Sequence, residues 1–293
     1  MQKVKTIQMT LNPETFNPDV IMKSGQVFRM YKQTDRLEFY FAYSGDKAIS
    51  FRKIKEGVWN FYTTQEDWAK FWYFYFDLVT DYTVFNKKIQ RSSDDFLKKS
   101  LEFSKGMRIL KQDLWETMVT FIISQQNNIP KITKTVNLLC ENFGTLEYHE
   151  TDSVGSFRNY YAFPTVDQIA NLSIEKLSDG TMLGYRAEYI LKLAQDIQKR
   201  KFSLKKLPDL SYGEAIEKLQ SVRGIGLKVS NCISLYGLHL MESYPIDTWM
   251  SKIIKDDYSQ YESVPDYLEY INSKYKGFQG YVQQLQFFYK RNL

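Results

Sequence analysis

The stretch that decides the fold runs from residue 222 to residue 228 and reads Val-Arg-Gly-Ile-Gly-Leu-Lys. Apolar residues recur at three- and four-residue spacing on both sides of it, so the sequence predicts a helix, a tight hairpin and a helix near 211–238. Ser211 opens the first helix with the spacing of a capping box. A Gly-x-Gly turn lets backbone N–H groups approach a phosphate, because no side chain blocks the way. The hairpin is therefore a candidate for binding a nucleic-acid backbone.

Lys228 and Asp247 are the candidate catalytic residues. An amine attacks a sugar carbon only in its neutral form, which a partly desolvated position at a helix N-terminus favours. Asp247 precedes a predicted helix that starts at Thr248, where aspartate is a good N-cap and its carboxylate can also stabilise a sugar cation. The ordinary interpretations are a lysine that pairs with a phosphate and an aspartate that only caps. Together the two residues favour Schiff-base chemistry on DNA.

The composition is that of a folded chain with one to three domains. The 293 residues carry a net charge of +5, with 43% hydrophobic and 25% charged residues. This mildly basic balance permits DNA binding through a local patch. We see no apolar run of about 18 residues that predicts a membrane span, and no secretory signal at the N-terminus. Cys140 and Cys232 are too few for a four-cysteine iron–sulfur cluster and indicate a reducing compartment, so we expect a cytoplasmic protein, nucleoid-associated if prokaryotic.

The hydrophobic periodicity changes along the chain and predicts an α+β protein. Residues 1–106 are predicted to form an antiparallel β domain with covering helices, because Leu37, Phe39 and Phe41 alternate with polar residues and turns follow. The aromatic run from residue 68 to residue 76 is predicted to be a helix that covers the sheet. Residues 107–293 are predicted to form a two-lobed, all-helical region that contains the hairpin.

Helix boundaries in the second region bracket a polar cluster. Asp113 starts a helix with capping-box spacing, and this helix ends at the cluster Ser-Gln-Gln-Asn-Asn of residues 124–128. Pro130 begins the next helix, and further helices are predicted from Thr165 and after Tyr185. Amides at such a break can fill the gap left by a flipped nucleotide. The alternative is an ordinary helix C-terminus with solvated amides.

Several segments resemble those of known DNA glycosylases. The hairpin resembles that of the helix-hairpin-helix–Gly/Pro/Asp superfamily, with Arg223 in place of the usual proline. Four further segments are similar to those of 8-oxoguanine DNA glycosylases, and they follow the same order along the chain. They are Ser-Gly-Gln-Val-Phe-Arg at 24–29, Phe-Ile-Ile-Ser-Gln-Gln-Asn-Asn-Ile at 121–129, Leu-Gly-Tyr-Arg-Ala at 183–187, and Gly-Tyr-Val-Gln through Phe at 280–287.

The resemblance implies a bifunctional 8-oxoguanine DNA glycosylase with β-lyase activity. In such an enzyme the lesion is flipped out of double-stranded DNA, Lys228 displaces the base, and the Schiff base eliminates the 3′ strand. It implies a monomer that needs no metal or organic cofactor for the chemistry. Two alternatives stay open at this point: a glycosylase for alkylated or mismatched bases, and a non-catalytic helix-hairpin-helix DNA-binding protein.

The same resemblance implies which residues contact the damaged base. Gly25 offers its carbonyl to the N7 hydrogen that 8-oxoguanine has and guanine lacks, which is a sound discriminator because that carbonyl would repel guanine N7. Gln283 reads the Watson–Crick edge, and Phe287 and Cys232 contact the two faces. The residue types alone favour Cys232 as a buried packing residue.

It also implies the contacts to the duplex. Tyr185 is the wedge, Arg186 bonds the estranged cytosine, and the remaining DNA contacts come from the polar cluster, the hairpin and the next helix. These are Gln126, Asn127, Asn128, Lys131, Gly224, Gly226 and Thr248. Asparagine and arginine are usual where Gln126 and Lys131 stand, and a lysine lacks the planar fork of arginine. Weak preference for the base opposite the lesion is therefore predicted.

Overall fold

The structure is a computed structural model that describes residues 3–33, 38–151 and 156–293. An N-terminal antiparallel sheet is followed by a long helical region, which confirms the α+β class. Leu37, part of the predicted alternation, lies outside the described residues. No helix among the described residues is long and apolar enough to span a bilayer.

The sheet has five antiparallel strands in the spatial order β1-β5-β4-β3-β2. The strands are β1 Lys5–Thr10, β2 Met30–Gln33, β3 Phe39–Ser44, β4 Lys47–Lys55 and β5 Val58–Thr63. Strands β2 to β5 form the predicted meander, and β1 pairs with β5 so that Lys5 lies opposite Thr63. A short helix, α1 Pro18–Lys23, connects β1 to β2 and leads into the turn at Gly25.

One face of the sheet is covered by the aromatic helical segment predicted from the sequence. This segment consists of α2 Gln65–Asp67, a π-helix Trp68–Trp72 and α3 Tyr73–Tyr75. Phe61 of β5 packs against Trp68 with ring centroids 4.8 Å apart, and Phe51 of β4 packs edge-on against Phe76 at 5.3 Å. The high aromatic content therefore serves this core, at least in part.

The opposite face is covered by a β-hairpin that the sequence analysis did not predict. Strands β6 Leu146–Glu150 and β7 Phe157–Tyr161 form it, within the region expected to be all helical. Tyr160 stacks on Tyr43 of β3 at 4.7 Å, and the Ser50 hydroxyl of β4 donates to the Thr151 carbonyl at 2.6 Å. Its short, mixed sequence has no clear period, so only the exposed face of the sheet explains why it forms strands.

The helical region contains the helices predicted at each strong start signal. In chain order these are α4 Tyr82–Gln90, α5 Asp95–Phe103, α6 Leu114–Ile123, α7 Ile129–Phe143, α8 Val166–Ala170, α9 Ile174–Ser178, α10 Arg186–Gln198, a 3-10 helix Leu204–Asp209, α11 Tyr212–Gln220, α12 Leu227–Tyr236, α13 Thr248–Asp257, α14 Val264–Lys274 and α15 Gln279–Arg291. The capping box at Ser211 and Glu214 is formed in both directions. Thr165 forms a second one with Gln168.

The capping-box spacing at Asp113 forms only half of the motif. Asp113 accepts a hydrogen bond from the Glu116 N–H at 2.8 Å, so it is the N-cap of α6. The Glu116 side chain does not return to Asp113; it pairs with Arg29 at 3.2 Å and accepts from the Gly45 N–H at 2.7 Å. Burial raises the pKa of the Glu116 carboxyl, and the Arg29 guanidinium opposes this shift. The pair joins the β domain to α6, which leads to the polar cluster.

Helices α4 and α5 pack against the C-terminal helix rather than against the sheet. Tyr82 of α4 contacts Tyr281 of α15 with centroids 5.0 Å apart, and Phe85 stacks on Phe278 at 4.5 Å. Segments that are distant in sequence thus form one common hydrophobic core with α6, α12 and α15. The division into 1–106 and 107–293 stays a prediction.

Candidate active site

Lys228 lies in the first turn of α12, directly after the glycine hairpin. Its Nζ donates to the Ser124 hydroxyl at 3.5 Å and lies 5.8 Å from the centroid of the Phe121 ring. The side chain is half-buried, so the amine is held between the C-terminus of α6 and the N-terminus of α12. Cys232 follows one turn later and is buried. Burial raises the pKa of the Cys232 thiol, and the Lys228 ammonium opposes this shift.

Asp247 is the N-cap of α13, as the sequence predicts. One carboxylate oxygen, Oδ1, accepts from the N–H groups of Trp249 at 3.0 Å and Met250 at 2.9 Å. Thr248, the first residue of the helix, is exposed. The cap fixes the orientation of the carboxylate while the half-buried side chain stays accessible. A fixed negative charge of this kind can stabilise a cation without reorganising.

The two hairpin glycines have different surroundings. Gly224 has φ +90°, and a methyl group in place of its hydrogen would lie 2.5 Å from the ring of Tyr189. Gly226 is the N-cap of α12, has no side-chain cap, and faces open space. Glycine at 224 is therefore required by backbone conformation and packing. Glycine at 226 leaves the first N–H groups of α12 open to an anion.

Gln125 connects the polar cluster to the glycine hairpin and to the start of α10. Its side-chain amide donates to the Gly224 carbonyl at 2.8 Å, and its own carbonyl accepts from Nε of Arg186 at 3.1 Å. A second guanidinium nitrogen of Arg186 also donates to this carbonyl. The structure thus brings together three segments that are far apart in sequence. Arg186, which the resemblance assigns to the estranged cytosine, uses part of its donor set to hold this junction.

Two side-chain amides of the cluster form hydrogen bonds at helix ends, whereas that of Gln126 is exposed. Asn127 donates to the Ile123 carbonyl at 3.2 Å, which ends α6, and Asn128 accepts from the Lys131 N–H at 3.1 Å, which caps α7. Gln126 adopts a left-handed backbone with φ +48° and is exposed, as is the Lys131 side chain. The interpretation as helix ends therefore fits Asn127 and Asn128. Gln126 and Lys131 project into solvent.

Tyr185 is the most exposed aromatic residue next to this junction. The residue is 49% exposed, and its ring packs edge-on against Tyr189 with centroids 5.9 Å apart. The guanidinium carbon of Arg186 lies 4.6 Å from the centroid of the Tyr185 ring. Tyr189 in turn packs against Gly224. An exposed ring on a rigid base is suited to insertion between stacked bases.

The turn at Gly25 is fixed from two sides. Gly25 has φ +84°, and a methyl group there would lie 3.1 Å from Ile129 and 3.5 Å from the Phe287 ring. Gln284 of α15 donates to the Ser24 carbonyl at 2.8 Å. The side chain of Gln26 accepts from the Leu110 N–H at 2.8 Å on the other side. The turn therefore lies close to Phe287 and to the start of α7.

Gln283, Gln284 and Gln286, three of the four buried glutamines of α15, differ in their hydrogen bonding. Gln284 accepts from the Tyr236 hydroxyl, and Gln286 donates to Tyr258 at 2.6 Å and accepts from Tyr244 and Tyr267. Gln283 is 4% exposed, yet its Oε1 has no hydrogen-bond partner among the described residues. An unsatisfied buried amide costs about 1–3 kcal/mol, so Gln283 is the one member of the three that is poised to bond a ligand.

The comparisons with known proteins agree with this arrangement. Residues 119–275 match the model of the HhH-GPD superfamily of base excision DNA repair proteins. The chain belongs to the HhH-GPD superfamily. Its residues 8–118 match the N-terminal domain of 8-oxoguanine DNA glycosylases. Both lysine and aspartate of the predicted pair lie inside the HhH-GPD match.

Individual relatives resemble the chain over different extents. The N-glycosylase/DNA lyase of Saccharomyces cerevisiae is 36% identical over 180 residues, which are 58% of this chain and 46% of that protein. The chain spans about half the length of the curated relatives it matches. Two solved structures match throughout. MBOgg1 in complex with a low affinity DNA ligand has a TM-score of 0.88 and 28% identity, covering 100% of this chain and 99% of that one. The Clostridium acetobutylicum 8-oxoguanine glycosylase/lyase, in complex with dsDNA containing cytosine opposite 8-oxoG, has a TM-score of 0.85, 29% identity and the same coverage.

Two residues at this HhH-GPD site carry no role in the sequence analysis. Ser124 contacts the Lys228 amine, and Arg291 contacts the Gly25 turn with its guanidinium. Ser124 stands at the predicted end of a helix, and nothing in its local pattern indicates the lysine 104 residues later. Arg291 does have a signal, because it follows Phe287 by four residues and so shares its helix face.

Proposed function

We propose that this HhH-GPD protein is a bifunctional DNA glycosylase and AP lyase that excises 8-oxoguanine from double-stranded DNA in base excision repair. The observation that carries the proposal is the Lys228 amine, held in the first turn of α12 beside Ser124. It stands in a chain whose N-terminal part matches the 8-oxoguanine DNA glycosylase domain. The C. acetobutylicum relative, which carries out this activity by name, supports the same substrate.

In the proposed reaction Lys228 acts as the nucleophile. Its neutral amine forms a bond to C1′ of the flipped deoxyribose, the N-glycosidic bond breaks, and the base leaves with the electron pair and takes up a proton. Loss of the amine proton and opening of the sugar give a Schiff base, and removal of a C2′ proton eliminates the 3′ phosphate. The Asp247 carboxylate, fixed by its cap, stabilises the positive charge that develops on the sugar.

The recognition side of the proposal uses the Gly25 turn and α15. The Gly25 carbonyl accepts the N7 hydrogen of 8-oxoguanine. The Gln283 amide, whose Oε1 has no partner among the described residues, forms hydrogen bonds with the Watson–Crick edge of the base. Phe287 and Cys232 contact the faces of the base. A buried acceptor that only the lesion satisfies discriminates well, because guanine leaves it unpaired.

The duplex is held by the exposed groups around the junction. The open N-terminus of α12 at Gly226 and the first turn at Thr248 receive phosphates, and Tyr185 inserts into the stack. Gln126, Asn127, Asn128, Lys131 and Arg186 face the partner strand. We propose a monomer that works on DNA in the cytoplasm or nucleoid, with no cofactor taking part in the chemistry.

A borohydride trap tests this function. Borohydride reduces a Schiff base to a stable amine, so the protein becomes covalently attached only to DNA that it processes through Lys228. We expect trapping on a duplex with 8-oxoguanine opposite cytosine and none on the same duplex with guanine. Trapping on a duplex with an alkylated base instead would identify a glycosylase of other specificity. Base release without trapping would identify a glycosylase that uses water as its nucleophile. DNA binding with neither base release nor trapping would identify a non-catalytic DNA-binding protein.

A further inference from the structure

Arg291, the last residue of α15, contacts two of the features that bind the base in the proposed function, the Gly25 turn and the Phe287 ring. One guanidinium nitrogen lies 3.5 Å from the Ser24 carbonyl, and the other donates to the Lys23 carbonyl. The guanidinium carbon lies 5.0 Å from the centroid of Phe287. A methyl group on Gly25 would lie 2.9 Å from Nη1 of Arg291. The arginine therefore fills the space beside the Gly25 turn and covers one face of the Phe287 ring.

The position of Arg291 on the helix explains these contacts. Residues three, four and seven apart lie on one face of a helix, so Gln284, Phe287 and Arg291 form a stripe that faces the turn. Gln284 holds the Ser24 carbonyl at 2.8 Å from one end of this stripe, and Arg291 holds the same carbonyl from the other. The last turn of a helix also favours a cation. Two separate groups of α15 thus orient the peptide that precedes Gly25.

The charge of Arg291 is only partly compensated. It is half-buried, and its partners are carbonyl oxygens and the faces of Phe287 and Phe288. Burial lowers the pKa of this guanidinium, and the Asp247 carboxylate opposes this shift. Its planar fork is suited to bonding two carbonyls while stacking on a ring, which an ammonium group cannot do.

We propose that Arg291 is a positioning residue for base specificity: by binding the Lys23 and Ser24 carbonyls and stacking on Phe287, it fixes the Gly25 carbonyl and the Phe287 ring in the geometry that 8-oxoguanine requires. This inference rests on the proposed function. It gives a role to a side chain outside the reacting groups, and it predicts an effect on recognition of the base but not on contacts to the DNA backbone.

The test measures binding in the inert Lys228→Gln background. Fluorescence anisotropy compares two duplexes that differ at one position, 8-oxoguanine or the abasic analogue tetrahydrofuran, each opposite cytosine. Adding Arg291→Met should raise Kd for the 8-oxoguanine duplex on the order of tenfold, because charged hydrogen bonds and ring support are lost. Kd for the tetrahydrofuran duplex should change by no more than about twofold, because there is no base to recognise. Arg291→Lys keeps the charge but lacks the planar guanidinium. Its Kd for the 8-oxoguanine duplex should lie between those of the Arg291 protein and Arg291→Met.

Lys290→Met is the matched control. Lys290 lies in the same helical turn, and its substitution removes the same charge. Its side chain points away from the Gly25 turn and pairs with Asp257 at 2.6 Å. This substitution should leave the ratio of the two Kd values unchanged. The inference would be overturned if Arg291→Met weakened binding of both duplexes equally, or changed neither Kd. A third duplex with guanine at the same position serves as a reference. If the inert protein binds the 8-oxoguanine duplex no more tightly than this one, the proposed function fails and this role of Arg291 fails with it. Thermal melting confirms that each variant is folded.

Discussion

The proposed reacting groups lie at helix N-termini, whereas Gln283 and Phe287, two of the proposed base-contacting groups, lie on the side of a helix. Lys228 and Asp247 stand at the N-termini of α12 and α13, half-buried, next to N–H groups that no helix bond satisfies. Gln283, which is buried, and Phe287, which is half-buried, project from the side of α15, and the Phe287 ring lies against the turn at Gly25. A helix terminus supplies electrostatic stabilisation and access, whereas a helix side supplies rigid shape and buried polar atoms.

This difference predicts that chemistry and recognition can be disrupted separately. Substitutions at the helix termini should reduce rate while base preference survives. Substitutions on α15 should reduce base preference while the chemistry, once a base is bound, survives. One link between the two sides is the hydrogen bond from Tyr236 of α12 to Gln284 of α15.

The largest effect is expected for Lys228→Gln. The amine is lost while the hairpin and the recognition side remain, so base release should fall by at least about a thousandfold and borohydride trapping should disappear. Affinity for the 8-oxoguanine duplex, measured by anisotropy, should stay within a few-fold of the unsubstituted protein. Strand cleavage at the original rate would show that Lys228 is not the nucleophile.

Asp247→Asn should slow the chemistry without loosening the fold. Asparagine caps a helix about as well as aspartate, so the midpoint of thermal unfolding should hardly change. Loss of the negative charge should slow base excision on the order of a hundredfold in single-turnover assays. Retention of both the original rate and the original stability would leave Asp247 with the role of a cap only.

Gln283→Ala and Gln284→Ala should differ in their effect on stability, although the residues are neighbours. Gln283 has no partner for Oε1, so its removal should leave stability unchanged but raise Kd for the 8-oxoguanine duplex about tenfold or more. Gln284 bonds Ser24 and Tyr236, so its removal should lower the free energy of unfolding by about 2–3 kcal/mol. Chemical denaturation and anisotropy on the same samples check both. Destabilisation by Gln283→Ala would mean that the amide has a structural partner after all.

The smallest effect is expected for the preference for the base opposite the lesion. Excision of 8-oxoguanine paired with C, T, G and A should follow a shallow ranking, because Lys131 cannot present two parallel donors to cytosine. Lys131→Arg should steepen the ranking toward cytosine by about tenfold, since a bidentate base contact contributes roughly 1–3 kcal/mol. A strong preference for cytosine in the unsubstituted protein, unchanged by this variant, would assign the reading of the partner base to other residues.

The sequence predicted best the parts whose signals are local. The Ser211 capping box, the hairpin glycines and the Asp247 cap each depend on residues a few positions apart, and all three formed as expected. The β6–β7 hairpin was missed because its strands form only against the free face of the sheet. The second half of the Asp113 capping box was also wrong, because Glu116 gains more from the buried Arg29.

The recognition side could be inferred only through resemblance. The Ser24 carbonyl and Gln284 are 260 residues apart, and no periodicity indicates that they meet. The missing partner of Gln283 is likewise invisible in a sequence, where it looks like its neighbours Gln284 and Gln286. Arg291 is an intermediate case, since its spacing from Phe287 places it on the same face but does not reveal the carbonyls that it binds.

Mapping the covalent adduct tests the central claim most directly. The protein is trapped with borohydride on an 8-oxoguanine duplex, digested with nuclease and protease, and analysed by mass spectrometry. The account predicts that the reduced sugar adduct is found on the peptide that contains Lys228, with fragment ions that place it on Nζ, and that Lys228→Gln removes it. An adduct on another lysine, such as Lys131, or on the N-terminal amine would contradict it.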